Sequence, residues 1–209
     1  MLLTKLATDF QHAQELVEEL THSEWVDDVY TTLLHLLQSR LGQKEREAAI
    51  EVSALLVNLL GVEWALEKEG ESKTFVLLLI HLVCVEVRMT LEDLNPAQDQ
   101  PIRRRTDITV SLQIASLGSL LSACYSVLEA MIGHMTSAST LALDQAQVEQ
   151  VHAAMVGAFN AVLYFLSQCQ GQVDDQDTRL TESQMTLYPV VLASVRVLGS
   201  WIAEETLAL

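Results

Sequence analysis

Along most of this chain apolar residues return every three or four positions, the period of a helix that buries one side. The pattern predicts a first helix from about Leu2 to Leu20, with Phe10, Leu16, Val17 and Leu20 on a weak apolar face. A break at Thr21–Ser23 follows, and Ser23 caps a second helix, Glu24 to Leu41, striped by Trp25, Val29, Leu33, Leu36 and Leu37 and closed by Gly42 as the residue after its C-terminus. The third helix runs from Gln43 to Leu60, where Gly61 stops it, and Val62 to Ser72 holds Trp64 and then EKEGES, a solvated turn around Gly70. The fourth begins at Lys73 or Thr74 and ends near Leu94. From Phe75 to Val85 it is apolar on every side except at His81, which makes it the most enclosed element.

Two prolines and three arginines make Asn95 to Arg105 the clearest linker, a flexible loop at about residues 95–106. A fifth helix, Asp107 to His134, is expected to bend near Gly118. A sixth, Asp144 to Gln168, carries Val148, Val151, Met155, Phe159, Val162 and Leu166 on one face. After an acidic loop, Gly171 to Asp177, the last helix starts near Pro189, a residue suited to a first turn. Antiparallel pairs of helices of about twenty residues, spaced by about forty, predict an all-α, armadillo/HEAT-like α-solenoid segment. The apolar Leu207, Ala208 and Leu209 lack a polar cap, so residues 1–209 read as a single helical-repeat segment of a longer chain.

Composition supports the helices: half of the residues are hydrophobic, and only three prolines and eight glycines are available to break them. Twelve Lys and Arg stand against 28 Asp and Glu, a net charge of −16 that repels phosphate, so nucleic acid is not an expected ligand and a basic protein face is the better match. Cys84, Cys124 and Cys169 lie in apolar helical runs without ligand spacing, as reduced, buried thiols of a cytosolic protein do. No transmembrane segment is expected, because the longest apolar run, Phe75 to Val85, is too short to cross a bilayer.

Candidate chemistry is sparse. His81 and Cys84 share a helix face at a spacing of three, but a metal needs two further ligands, and a hydrogen-bonded core histidine beside a buried thiol is the preferred reading. His12, His22, His35, His134 and His152 have no zinc spacing. GxSxG, GxxxxGK[ST] and GxGxxG strings are missing. Adjacent acids such as Asp27 with Asp28, or Glu204 with Glu205, diverge by about 100° on a helix and cannot face one bond together. No catalytic, cofactor-binding or metal residue is therefore assigned, and the chain is expected not to be an enzyme. Two polar rows remain: Glu86, Arg88 and Glu92, and Arg196, Ser200 and Glu204, the latter opposite Val191, Val195, Leu198 and Ile202. Each is preferred as a ladder tying adjacent repeats; the alternative is that they line a peptide-binding groove. Arg103 to Arg105 form the one basic cluster, with Thr106 beside it as a site phosphorylation could use.

Five strings carry a more specific signal: VCVEVRMTLED (Val83 to Asp93), ACYSVLEA (Ala123 to Ala130), LDQAQVEQV (Leu143 to Val151), AFNAVLYFL (Ala158 to Leu166) and ASVRVLGSWIAEET (Ala193 to Thr206). In this order they resemble the neurochondrin family, with a looser likeness in Leu6 to Phe10 and in the helices before Gly61. The stretch from Asn95 to Ser119 is longer than the family pattern. The resemblance implies a non-enzymatic, helical-repeat adaptor of neurons that binds proteins. By resemblance its partners are signalling receptors or kinase pathway components, through metabotropic glutamate receptors and calcium/calmodulin-dependent kinase, with a role in neurite outgrowth. It also implies a cytoplasmic location in neuronal cell bodies and dendrites, peripheral to membranes through parts of the full chain. The alternative is a transport-type helical repeat that holds basic cargo on its acidic surface.

Overall fold

The computed structural model describes residues 19–20, 23–40, 42–68, 74–95, 107–137, 143–171 and 182–205. Among them are α1 (Glu24–Gln38), α2 (Gln43–Leu60), α3 (Glu63–Lys68), α4 (Thr74–Asp93), α5 (Asp107–Ser137), α6 (Gln145–Gly171) and α7 (Glu182–Glu205), and no strand among the described residues. The expected first helix, apart from its last two residues, and nearly all of the loop at 95–106 lie outside these residues, as does most of the acidic loop at 171–177.

The helices pack as two layers. One holds α1, α4 and α6 in that order, the other α2, α5 and α7, and α1 with α2, α4 with α5 and α6 with α7 form the pairs that join the layers. This is the all-α, solenoid-like arrangement that the periodicity predicts. Its spacing differs from the expected one. Between neighbouring helices of one layer, polar partners lie 68 residues apart at Asn58 and Ser126, 69 at His81 and Gln150, and 67 at Glu129 and Arg196. The longer spacing follows from α5, α6 and α7, which reach 31, 27 and 24 residues. Because Glu51 meets Ser119 and Asn58 meets Ser126 at the same offset, α2 and α5 run parallel.

Several element boundaries differ from expectation. α1 ends at Gln38 with Ser39 as its C-cap, and Gly42 serves as the N-cap of α2 rather than closing α1. Ser23 does precede α1 with extended backbone, but its hydroxyl donates back to the Leu20 carbonyl instead of accepting from the helix. Gly61 ends α2 at φ 80° and ψ 171°, a region essentially reserved for glycine. The segment after it, where the periodicity predicts no helix, contains α3, whose Trp64 is almost wholly buried against Tyr30 of α1 and Phe75 of α4, at ring distances of 5.6 and 5.8 Å. α5 passes through Gly118 as one helix. α7 starts seven residues before Pro189, which therefore sits inside it at an exposed position. That proline forfeits one helical hydrogen bond, and the buried Val190, Ser194, Val197 and Trp201 hold the helix in place beyond it.

The core runs continuously through both layers. α4 buries Phe75, Val76, Leu79, Ile80, Val83, Cys84, Val87 and Leu91, in keeping with its expected enclosure. Its apolar run is not too short to span a bilayer, however, because the helix continues to Asp93. Thr74–Asp93, Ile114–Thr136, Gln145–Gln170 and Leu187–Glu204 are each long and apolar enough to cross a membrane, by length and composition alone. In the fold 56% of the apolar window is buried on α4, against only 17% on Leu187–Glu204.

Candidate protein-binding surface

Polar side chains stitch the layers at regular intervals. In the first layer the His81 Nδ1–H donates to the Leu77 carbonyl at 2.7 Å, which leaves Nε2 to accept from the Gln150 amide of α6 at 3.3 Å. His81 is thus a hydrogen-bonded, half-buried histidine that ties α4 to α6. Its neighbour on the helix, Cys84, is a buried free thiol whose pKa burial pushes up to about 12. Burial raises Cys124 as well, and the half-buried Cys169 is raised in the same direction. Among the described residues no three His, Cys, Asp or Glu side chains converge as a metal site would require.

The first polar row is split by the fold. Glu86 points inward and pairs with Arg46 of α2, whereas Arg88 and Glu92 are exposed and form no ion pair with each other. Residues two positions apart on a helix diverge by about 200°, so Glu86 and Arg88 cannot share a face. Arg46, in the charged start of α2, carries no sequence mark as the partner of Glu86. The second row behaves as a tie between repeats, though its partner lies on another helix. Arg196 donates from Nε and Nη2 to the Glu129 carboxylate of α5, at 2.9 and 2.6 Å, and this contact raises the arginine pKa above its ordinary value. Ser200 donates to the Arg196 carbonyl, and Glu204 is half-buried.

Other links have no precursor in the pattern of charges. Tyr125 of α5 and Ser194 of α7 share a buried hydrogen bond of 2.8 Å. His134 Nδ1 lies 3.0 Å from Glu63, while His134 Nε2 and the Trp64 indole N–H meet no hydrogen-bonding partner among the described residues. His152 packs on Trp201, which stacks on Phe159 at 4.8 Å and so fastens α6 to α7. His35, Asp27 and Asp28 lie on the exposed side of α1. Arg103 to Arg105, Thr106, His12 and His22 lie outside the described residues, and of Glu205 only the backbone is described.

Several apolar side chains face outward. Trp25, expected in the α1 stripe, is exposed, and Tyr30 takes the core position instead. On α7 the expected apolar row is divided: Val195 and Ile202 are exposed while Val191 and Leu198 are half-buried. Val52, Leu55 and Leu59 on α2 are exposed as well, and outward apolar side chains of this kind suit contact with another protein.

A two-layered stack of antiparallel helix pairs, tied by side chains between repeats and bearing outward apolar ridges, defines a helical-repeat protein. Residues 1–209 match the Neurochondrin family, and the chain belongs to it. It is 34% identical to chicken neurochondrin over 194 residues, 93% of this chain and 24% of that relative. It is 28% identical to a Drosophila neurochondrin homolog over 93% of this chain, and 28% identical to human neurochondrin over its whole length, covering 24% and 26% of those proteins. The chain thus spans about a quarter of the length of these relatives, whose names are not enzyme names. No solved structure matches.

Proposed function

We propose that this chain is a non-enzymatic, protein-binding segment of a neurochondrin-like adaptor, working by contact in the cytoplasm of neurons. The observation that carries the reading is the set of exposed apolar side chains on α2 and α7, in a chain whose family is that of neurochondrin. Such ridges cost solubility when bare and become useful when a partner covers them. The partners proposed from the family likeness are signalling receptors and components of calcium/calmodulin-dependent kinase pathways, with effects on neurite outgrowth. The test is capture of a purified metabotropic glutamate receptor tail by the 209-residue chain. Retention of the tail supports the reading, and failure where the longer family proteins retain it moves the binding site outside residues 1–209.

The net charge of −16 favours a second reading, a transport-type repeat that holds basic cargo. Binding to lysine-rich peptides that disappears as ionic strength rises, with no dependence on peptide order, would select it.

A further inference from the structure

We propose that the outer side of α7 is a self-association surface, on which a second copy of this chain docks helix against helix, antiparallel, about a two-fold axis at Val195. The proposal goes beyond the adaptor reading and makes no use of the ridge on α2.

The side in question is fixed by what the rest of α7 touches. Val190 lies 3.6 Å from where a Cβ on Gly118 of α5 would stand, Ser194 bonds Tyr125 of α5, and Trp201 stacks on Phe159 of α6. With Val197 these residues make up the buried side of the helix. Tyr188, Leu192, Val195, Gly199 and Ile202 are exposed and recur at intervals of four, three, four and three. At 100° per residue they centre about 150° from the buried set. Alternating steps of four and three are the spacing with which one helix meets another along its length. Of the long apolar windows among the described residues, the one on α7 is also the least buried.

Shape selects a second copy as the occupant. When helices pack along their length, a side chain of one enters a hole between four residues of the other, at i, i+3, i+4 and i+7. Val195, Leu198, Gly199 and Ile202 bound such a hole, and Gly199 deepens it, because the space its missing Cβ would fill is clear of other atoms within 4 Å. Leu192, 52% exposed, is a knob that fits it. If two α7 helices lie antiparallel with Val195 opposite Val195, Leu192 of each comes level with Leu198 and Gly199 of the other. Tyr188 comes level with Ile202 and Ala203. The two-fold axis makes every contact twice, so knob and hole on one helix complete each other.

Charge agrees with this choice. From Leu187 to Ala203 the sequence holds no Asp or Glu, in a chain with 28, and its one cation, Arg196, is engaged by Glu129. Two copies at −16 repel each other, but on this side they meet without opposing carboxylates, and the rest of the repulsion is screened beyond about 8 Å at 0.15 M salt. A basic partner would find no carboxylate to pair with along the same stripe. From Tyr188 to Ile202 the stripe runs about 21 Å. One helix face of that length buries less than the roughly 1,200 Å² at which standard interfaces begin, so the dimer is concentration-dependent, with a dissociation constant on the order of 10 µM.

The test is sedimentation equilibrium of the 209-residue chain over about 1–100 µM, a range that brackets such a constant. Masses of one and two chains in exchange are expected, with association strengthened severalfold when salt rises from about 0.01 to 0.15 M. Val195→Asp sets two carboxylates against each other at the axis and should weaken association at least about tenfold. Gly199→Leu adds exposed apolar surface but fills the hole, so it should weaken association as well. Combining it with Leu192→Ala exchanges knob and hole and should restore most of the loss. Leu55→Asp, at an exposed site on α2, should leave association unchanged. Circular dichroism confirms that each variant is helical. A one-chain mass throughout overturns the proposal, and so does association that Gly199→Leu strengthens or that Leu55→Asp weakens equally. Masses that grow beyond two chains overturn the two-fold axis. Binding to phosphatidylcholine vesicles that Val195→Asp abolishes, without a dimer in solution, would assign the face to a lipid surface instead.

Discussion

The buried thiols show what the fold does to single groups. Cys84 is packed among valines and leucines of α4, where a thiolate would be stranded away from water, and its pKa is pushed up to about 12 from an ordinary 9.0. Cys124 and Tyr125 are shifted the same way by the same cause. Between these values the folded thiol keeps its proton while the unfolded one loses it. The stabilisation is therefore complete below about pH 9 and declines as pH rises toward 12. Urea denaturation of a Cys84→Val variant is expected to show a shallower loss of stability over that window, and a thiol reagent at pH 8 should modify Cys169 in the native chain well before Cys84 and Cys124. Rapid native labelling of all three would contradict this placement. The sequence shows that Cys84 and Cys124 sit in apolar runs. It equally shows Cys169 in one, yet Cys169 is only half-buried, because exposure depends on which neighbours the helix end meets.

At the scale of elements, ion pairs that look alike in sequence differ in worth. Glu86 is nearly closed off from solvent and its partner Arg46 is mostly so, whereas Arg196 is largely in water even though its contact to Glu129 is bidentate. Removing one member of a buried pair leaves an uncompensated charge at a cost of about 3–5 kcal/mol, while exposed pairs contribute about 0–1 kcal/mol. Arg46→Met is thus expected to destabilise the chain several times more than Arg196→Met in chemical denaturation. Equal effects would mean that Glu86 reaches water. Helical periodicity locates α2, α4 and α6 closely, since each has a continuous apolar face. It misses α3, where six residues are too few to display a period and where burial of Trp64 against Tyr30 and Phe75 supplies the stability. It also starts α7 too late, because the local preference of Pro189 for a first turn is overridden by packing of the residues that follow.

The whole molecule is strongly anionic, and most of its carboxylates have no cation to neutralise them. Self-repulsion of this kind opposes compaction and is screened by salt, as the Debye length falls from about 30 Å at 0.01 M to about 8 Å at 0.15 M. The midpoint of thermal unfolding is expected to rise over that range. A fall would show that attractive pairs such as Arg46 with Glu86 outweigh the repulsion. Sequence alone determined that the chain is helical, which residues begin and end α2 and α4, that its surface is acidic, and which family it resembles, because each of these is written in local spacing, composition or strings of letters. Tertiary structure alone decided which helices become neighbours, that partners lie near 68 residues apart, and that Arg46 answers Glu86 and Glu129 answers Arg196. Those are relations between distant segments, and a helix carries in its own sequence the face it must bury but not the identity of what will cover it.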